Sequence, residues 1–182
     1  MDETDLRAVT IGELQPLAGK VEIADYDARW PQLFDREAAR IRAALTDRAL
    51  LLEHVGSTAV PGLPAKPRID ILLVVASSPD EPAYVPALEA AGYVLRIREP
   101  SWHEHRLLRG PDTAINLHVF SRGCPEIERM LRFRDWLRTS EADRDLYART
   151  KRELAQRDWK YTQDYADAKT AVVADILTRA LR

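Results

Sequence analysis

Apolar residues recur along this chain in two rhythms, and the places where one gives way to the other mark its elements. In DARWPQLFDREAARIRAAL, residues 27–45, Trp30, Phe34, Ala38, Ile41 and Leu45 keep the spacing of one helix face, and Pro31 suits a first helical turn. ALLLEHV (49–55) and IDILLVV (69–75) read as strands, the second so uniformly apolar that it fits the middle of a covered sheet. EPAYVPALEAAG predicts a helix stopped by Gly92, followed by the strand YVLRI. EHRLLRG and AINLHVF, joined by the turn-rich GPDT, predict a hairpin. From Pro125 the rhythm is helical throughout: PEIERMLRFRDWLR puts Met130, Phe133, Trp136 and Leu137 on one stripe. SEADRDLYARTKRELAQ opens with Ser140 and Asp143 at a capping spacing, and a last helix is predicted from Tyr161 to Ala180. Residues 1–20 show little periodicity and are expected to form a flexible arm. The sum is an α+β fold: a small mixed sheet packed by helices, one domain over 21–182, its helical C-terminal part running from about residue 125 to 182.

Composition narrows the function classes. A length of 182 residues is enough for one self-sufficient core, and 46% apolar with 31% charged residues describes a folded globule. The formal net charge of −2 gives no reason to expect nucleic-acid binding. No signal-peptide order and no bilayer-length apolar run is present, so a cytoplasmic protein without a membrane partner is expected. The single Cys124 cannot form an internal disulfide. Oligomeric state is not legible.

The chemistry concentrates in EHVGSTAVPGLPAKPRID, residues 53–70. Gly56 and Ser57 directly follow a predicted strand, where missing Cβ bulk admits a phosphate while hydroxyl and N–H groups donate to it; Thr58 adds a second hydroxyl. Pro61, Gly62, Pro64 and Pro67 stiffen the path onward, and Lys66 and Arg68 bring positive charge to the same mouth. A rigid turn between core strands explains the same composition equally well. Asp70 alters that balance, because a carboxylate opening the most apolar strand must be solvated at the sheet end or have a partner.

A Gly-Ser pair after a strand, then an aspartate on an apolar strand, resembles the signature of the nucleotidyltransferase superfamily. EHVGSTAVPGLPAKPRIDI, EHR, NLHVF and FRDWLR followed by YARTKRELA resemble, more closely, the GrpB family, over about residues 20–180. The resemblance implies that fold, and a nucleotidyltransferase-like enzyme using a nucleoside triphosphate and a divalent metal ion, magnesium or a transition metal, on a small-molecule acceptor. It also implies a departure. Active superfamily members hold two metal ions on three carboxylates, whereas here Leu72 takes the second position and His118 the third. Asp70 with His118 is then a one-metal site, a base held by its carboxylate, or the remnant of a lost metal centre. His105 would join them as a third metal ligand if the hairpin pairs in register, on the face it would share with His103. His54 reads as a strand-end hydrogen-bonding residue. Arg132, Arg134 and Arg138 read as a solvated face. Lys151 and Lys169, each one turn after a tyrosine, could reach a triphosphate, with surface salt bridging as the plainer role. Two other functions stay open: a non-catalytic nucleotide- or coenzyme-binding regulatory domain, and a His/Asp metal-dependent hydrolase or cyclase.

Overall fold

The computed structural model describes residues 2–181. Its centre is a five-stranded mixed sheet in the order β1-β2-β5-β4-β3, formed by β1 (Leu51–Val55), β2 (Ile69–Val75), β3 (Val94–Glu99), β4 (His105–Arg109) and β5 (Ile115–Ser121). Only β2 and β5 run parallel, with Asp70 opposite Asn116 and Leu72 opposite His118; the other neighbours are antiparallel. The hairpin predicted from EHRLLRG and AINLHVF is β4–β5, with Leu107 opposite His118.

Alternation sorts the strands into two faces. Ile69, Ile71 and Leu73 of β2, with Leu117 and Val119 of β5, bury against Ile41 and Leu45 of α2 (Trp30–Leu45) and Leu88 of α3 (Val85–Ala90). Leu72, Val74, Val55 and Phe120 point the other way, onto Ile127 and Met130 of α4 (Pro125–Thr139). A strand covered on both sides has little use for polar residues, which is why β2 is apolar at every position but Asp70. The stripe of α4 continues through Phe133, Trp136 and Leu137 into a second cluster with Tyr147 and Ala148 of α5 (Glu141–Ala155) and Ile176 of α7 (Thr170–Ala180). Among the described residues no helix is long and apolar enough to cross a membrane.

Four expectations need correction. Residues 3–9 are not a loose arm: they form α1 (Glu3–Val9), capped reciprocally by Asp2 and Asp5 and anchored by buried Leu6, and the segment after it pairs with β3 through Ile11 N–H donating to Arg96 O at 2.8 Å. A two-turn helix is too short to show a period, so the apolar pattern gives it no signal. The last helix is two, α6 (Thr162–Ala168) and α7, separated at Lys169. His103 shares no strand face with His105, because β4 begins at His105 and His103 lies in the preceding turn with φ 55°. Arg134 is not solvated. It is buried, donating to Glu53 at 2.7 Å and to the His54 carbonyl at 2.9 Å, the carboxylate that a guanidinium needs when removed from water.

Candidate functional site

The face of the sheet that meets the C-terminal helices leaves a cavity of about 920 Å³ at the start of β2 and β5. Gly56, Ser57, Lys66, Arg68, Asp70 and His118 line it together, and Thr58 and Lys169 join them. The residues singled out between 56 and 70 therefore share one hollow with the histidine from β5.

Gly56 shows why the turn carries no side chain. Its φ of 70° and ψ of −171° belong to a region essentially reserved for glycine, and a Cβ there would stand 2.4 Å from Asp70 Oδ2. The backbone thus lies directly against the carboxylate. On the other side, Asn116 Nδ2 donates to Asp70 Oδ1 at 2.6 Å, and His118 Nε2 stands 3.5 Å from the same oxygen. Asn116 is itself oriented by Arg109, which donates to its Oδ1. Burial acts to raise the Asp70 pKa; the polar and cationic groups around the carboxylate, Asn116 and Lys169 among them, outweigh it and hold the acid below its ordinary value.

The turn's hydroxyls have different fates. Ser57 accepts from Lys151 Nζ at 3.0 Å, while Thr58 is buried, linked to His54 Nε2 at 3.0 Å and donating to the Arg68 carbonyl. Thr58 thus shapes the loop and has no hydroxyl to spare for a ligand. His54 is the expected strand-end hydrogen-bonding residue, its ring stacked on Phe34.

Basic groups dominate the walls: six lysines and arginines against the two carboxylates of Glu13 and Asp70. Lys151 is buried rather than a surface residue, its ammonium held by Ser57, by the Pro64 carbonyl and over the Tyr147 ring at 4.7 Å. Lys169 sits in the same way over the Tyr165 ring at 4.6 Å, so both tyrosine-lysine pairs seat a cation on an aromatic face. Burial drives Lys151 well below the ordinary lysine range and pushes Lys66 down to about 8, with Arg68 and Lys169 adding repulsion. Burial likewise lowers Arg109 to about 10. Lys151 is buried and the other five cations are half-buried, and a wall so poorly matched by acids carries a positive potential that attracts anions.

Sequence reasoning passed over Arg109 and Glu99 and undervalued Lys151. Lys151 did carry a signal. Tyr147, Ala148, Leu154 and Ala155 are the buried face of α5, and Lys151 falls in the middle of that stripe. A lone lysine on an apolar helix face is either a defect or a site.

The expected metal centre does not fit these residues. Leu72 is fully buried in the cluster under α4, so no second carboxylate stands beside Asp70. His105 does not converge with Asp70 and His118: its Nδ1 faces Glu99 Oε2 at 2.6 Å and its Nε2 faces His118 Nδ1 at 3.1 Å. Among the described residues no three His, Cys, Asp or Glu side chains are grouped to hold a metal ion.

Comparison with known proteins agrees with this architecture. A UPF0157 protein of Halalkalibacterium halodurans is 62% identical over 178 residues, 98% of this chain and 91% of its own. A dephospho-CoA kinase of Mycolicibacterium paratuberculosis is 30% identical, matching 88% of this chain with 46% of its own length. Among solved structures, the conserved protein GrpB from Enterococcus faecalis superposes with a TM-score of 0.77 at 32% identity, over 88% of this chain and 97% of that one. A cytoplasmic RNA terminal U-transferase aligns over 71% of this chain and 43% of its own, with a TM-score of 0.47 at 12% identity. The model of the family described as GrpB protein matches residues 20–179, and this chain belongs to that family.

Proposed function

We propose that this protein binds a nucleoside triphosphate by its phosphates in the basic cavity and transfers the nucleotidyl group to a hydroxyl of a small-molecule acceptor. The observation that carries the reading is the set of cations that shares the cavity with Gly56, Ser57 and Asp70, drawn from the loop before β2, from the strands and from the C-terminal helices. In the transfer, the acceptor oxygen bonds to the α-phosphorus, the bond from that phosphorus to the bridging oxygen breaks, and pyrophosphate leaves. The acceptor proton passes to Asp70 or His118, the two basic atoms that flank one position 3.5 Å apart. Lys66, Arg68, Arg109, Lys151 and Lys169 neutralise the departing charge, a role that metal ions on carboxylates share elsewhere.

Leu72 favours a second reading, a nucleotide-binding module without turnover. Titration calorimetry with nucleoside triphosphates, with and without magnesium, and product analysis with candidate acceptors separate the two. The transfer reading expects product from the native protein and a loss of about 10²–10⁴ in turnover for Asp70→Asn, with nucleotide affinity retained. Tight binding with no product would favour the module, and no binding would remove both.

A further inference from the structure

Behind Asp70 a line of polar side chains crosses the sheet. Asp70 on β2, His118 on β5, His105 on β4 and Glu99 on β3 all point to the cavity side, linked at 3.5, 3.1 and 2.6 Å. The two imidazoles have four nitrogens: the outer two face carboxylates and the inner two face each other. An ionised Glu99 can only accept, so the Nδ1 of His105 carries hydrogen. At 3.1 Å the inner pair has room for one hydrogen between them.

Which ring owns that hydrogen follows from the two ends of the line. Glu99 meets His105 Nδ1 at 2.6 Å, a formed hydrogen bond, whereas Asp70, already accepting from Asn116 at 2.6 Å, stands 3.5 Å from His118 Nε2. His105 is 3% exposed and desolvation pushes it down to about 4, so the ring is neutral and, with its hydrogen on Nδ1, has a bare Nε2. The hydrogen between the rings then sits on Nδ1 of His118. His118 Nε2 is left bare beside Asp70, and their separation is longer than a formed hydrogen bond.

We propose that Glu99 and His105 are positioning residues that hold His118 in its Nδ1–H form, so that Nε2 receives a proton inside the cavity. As one proton arrives at Nε2, the Nδ1 hydrogen of His118 passes to His105 Nε2, and that of His105 Nδ1 passes to Glu99. One proton enters and one reaches the far carboxylate, so the imidazoles end as they began in charge.

The surroundings fix this alignment. The His105 ring lies nearly parallel to that of His118, edge to edge with 5.2 Å between centroids, and is stacked on Phe120 at 4.8 Å, with Trp102 edge-on at 5.2 Å. The turn that delivers His105 runs through His103 and Glu104, both left-handed at φ 55° and 50°, a conformation that side-chain-bearing residues adopt at a cost. Glu99, at the other end, is 15% exposed and the line stops there.

The proposal rests on the transfer reading only for the origin of the proton, and its primary test needs no substrate. Long-range ¹H–¹⁵N spectra of the full-length, ¹⁵N-histidine-labelled protein at neutral pH report which ring nitrogen bears hydrogen. His118 is expected as the Nδ1–H tautomer in the native chain. Glu99→Leu removes the acceptor for His105, which then takes the Nε2–H form and drives the His118 hydrogen to Nε2, two rings from the substitution. His105→Phe keeps the stacking and makes the same shift at His118. A native His118 with hydrogen on Nε2, or a tautomer that neither variant moves, would overturn the proposal; Glu99→Leu keeps it testable should His105→Phe fail to fold. In turnover, both variants are expected to lower kcat by about 10²-fold with nucleotide affinity unchanged. Loss of affinity alone would also count against the relay, whereas absence of any nucleotide binding by the native protein would sink the transfer reading and leave the tautomer result standing.

Discussion

Gly56 is the residue on which the site's geometry turns. A methyl group at that position would have to displace Asp70, against which the backbone rests, and the backbone angles themselves reject a side chain. Gly56→Ala is therefore expected to cost about 1–3 kcal/mol in stability from the backbone alone. It should also weaken nucleotide binding, because the carboxylate and the Ser57 turn are pushed apart. Chemical denaturation and calorimetry check the two effects; an unchanged unfolding midpoint would mean the turn relaxes freely. That Gly56, Ser57 and Asp70 meet in one hollow was legible in the sequence because glycine, proline and an isolated acid are each informative where they stand. Arg109 and Glu99 were not. An arginine or glutamate on a strand end looks like any solvated residue until the pairing of β3, β4 and β5 decides which face it takes, and that register is a property of contacts between strands.

At the scale of elements, the apolar rhythm identified every strand and most helices, and it failed where local signals are weak. The break at Lys169 has no glycine or proline to announce it, yet this lysine caps α7 and lines the cavity wall. A polar exception on the core side of α2 is equally instructive. Glu37 is fully buried beneath the sheet, accepting from the Tyr93 hydroxyl at 2.6 Å and from Thr113 at 3.0 Å, with Arg40 nearby. These contacts tie α2 to the start of β3 and to the β4–β5 turn. Tyr93→Phe leaves that carboxylate short of a donor and should lower stability by about 1–3 kcal/mol, seen as a shifted denaturant midpoint with unchanged slope. A smaller shift than about 0.5 kcal/mol would show that Arg40 and Thr113 suffice.

Over the whole molecule, the opening residues act as a strap. Leu6 is buried near β3, Ile11 bonds to Arg96, and Leu17 N–H donates to the Lys160 carbonyl at 2.9 Å, so residues 6–17 run from the sheet edge to the C-terminal helices along the cavity. Leu6→Asp should detach this strap while the core stays folded. Hydrogen exchange is expected to quicken over residues 3–17, with the amides of β2 and β5 still protected. Uniform loss of protection would mean instead that the strap is integral to folding.

The parallel pairing of β2 with β5 has an effect on the order of events during synthesis. Strand partners separated by the whole of residues 76–114 cannot meet until that stretch has been made, and Ser57 finds Lys151 only 94 residues later. A chain still leaving the ribosome therefore holds Asp70 with Lys66 and Arg68 but without Lys151 and Lys169, and the cavity wall stays incomplete until the final helices emerge.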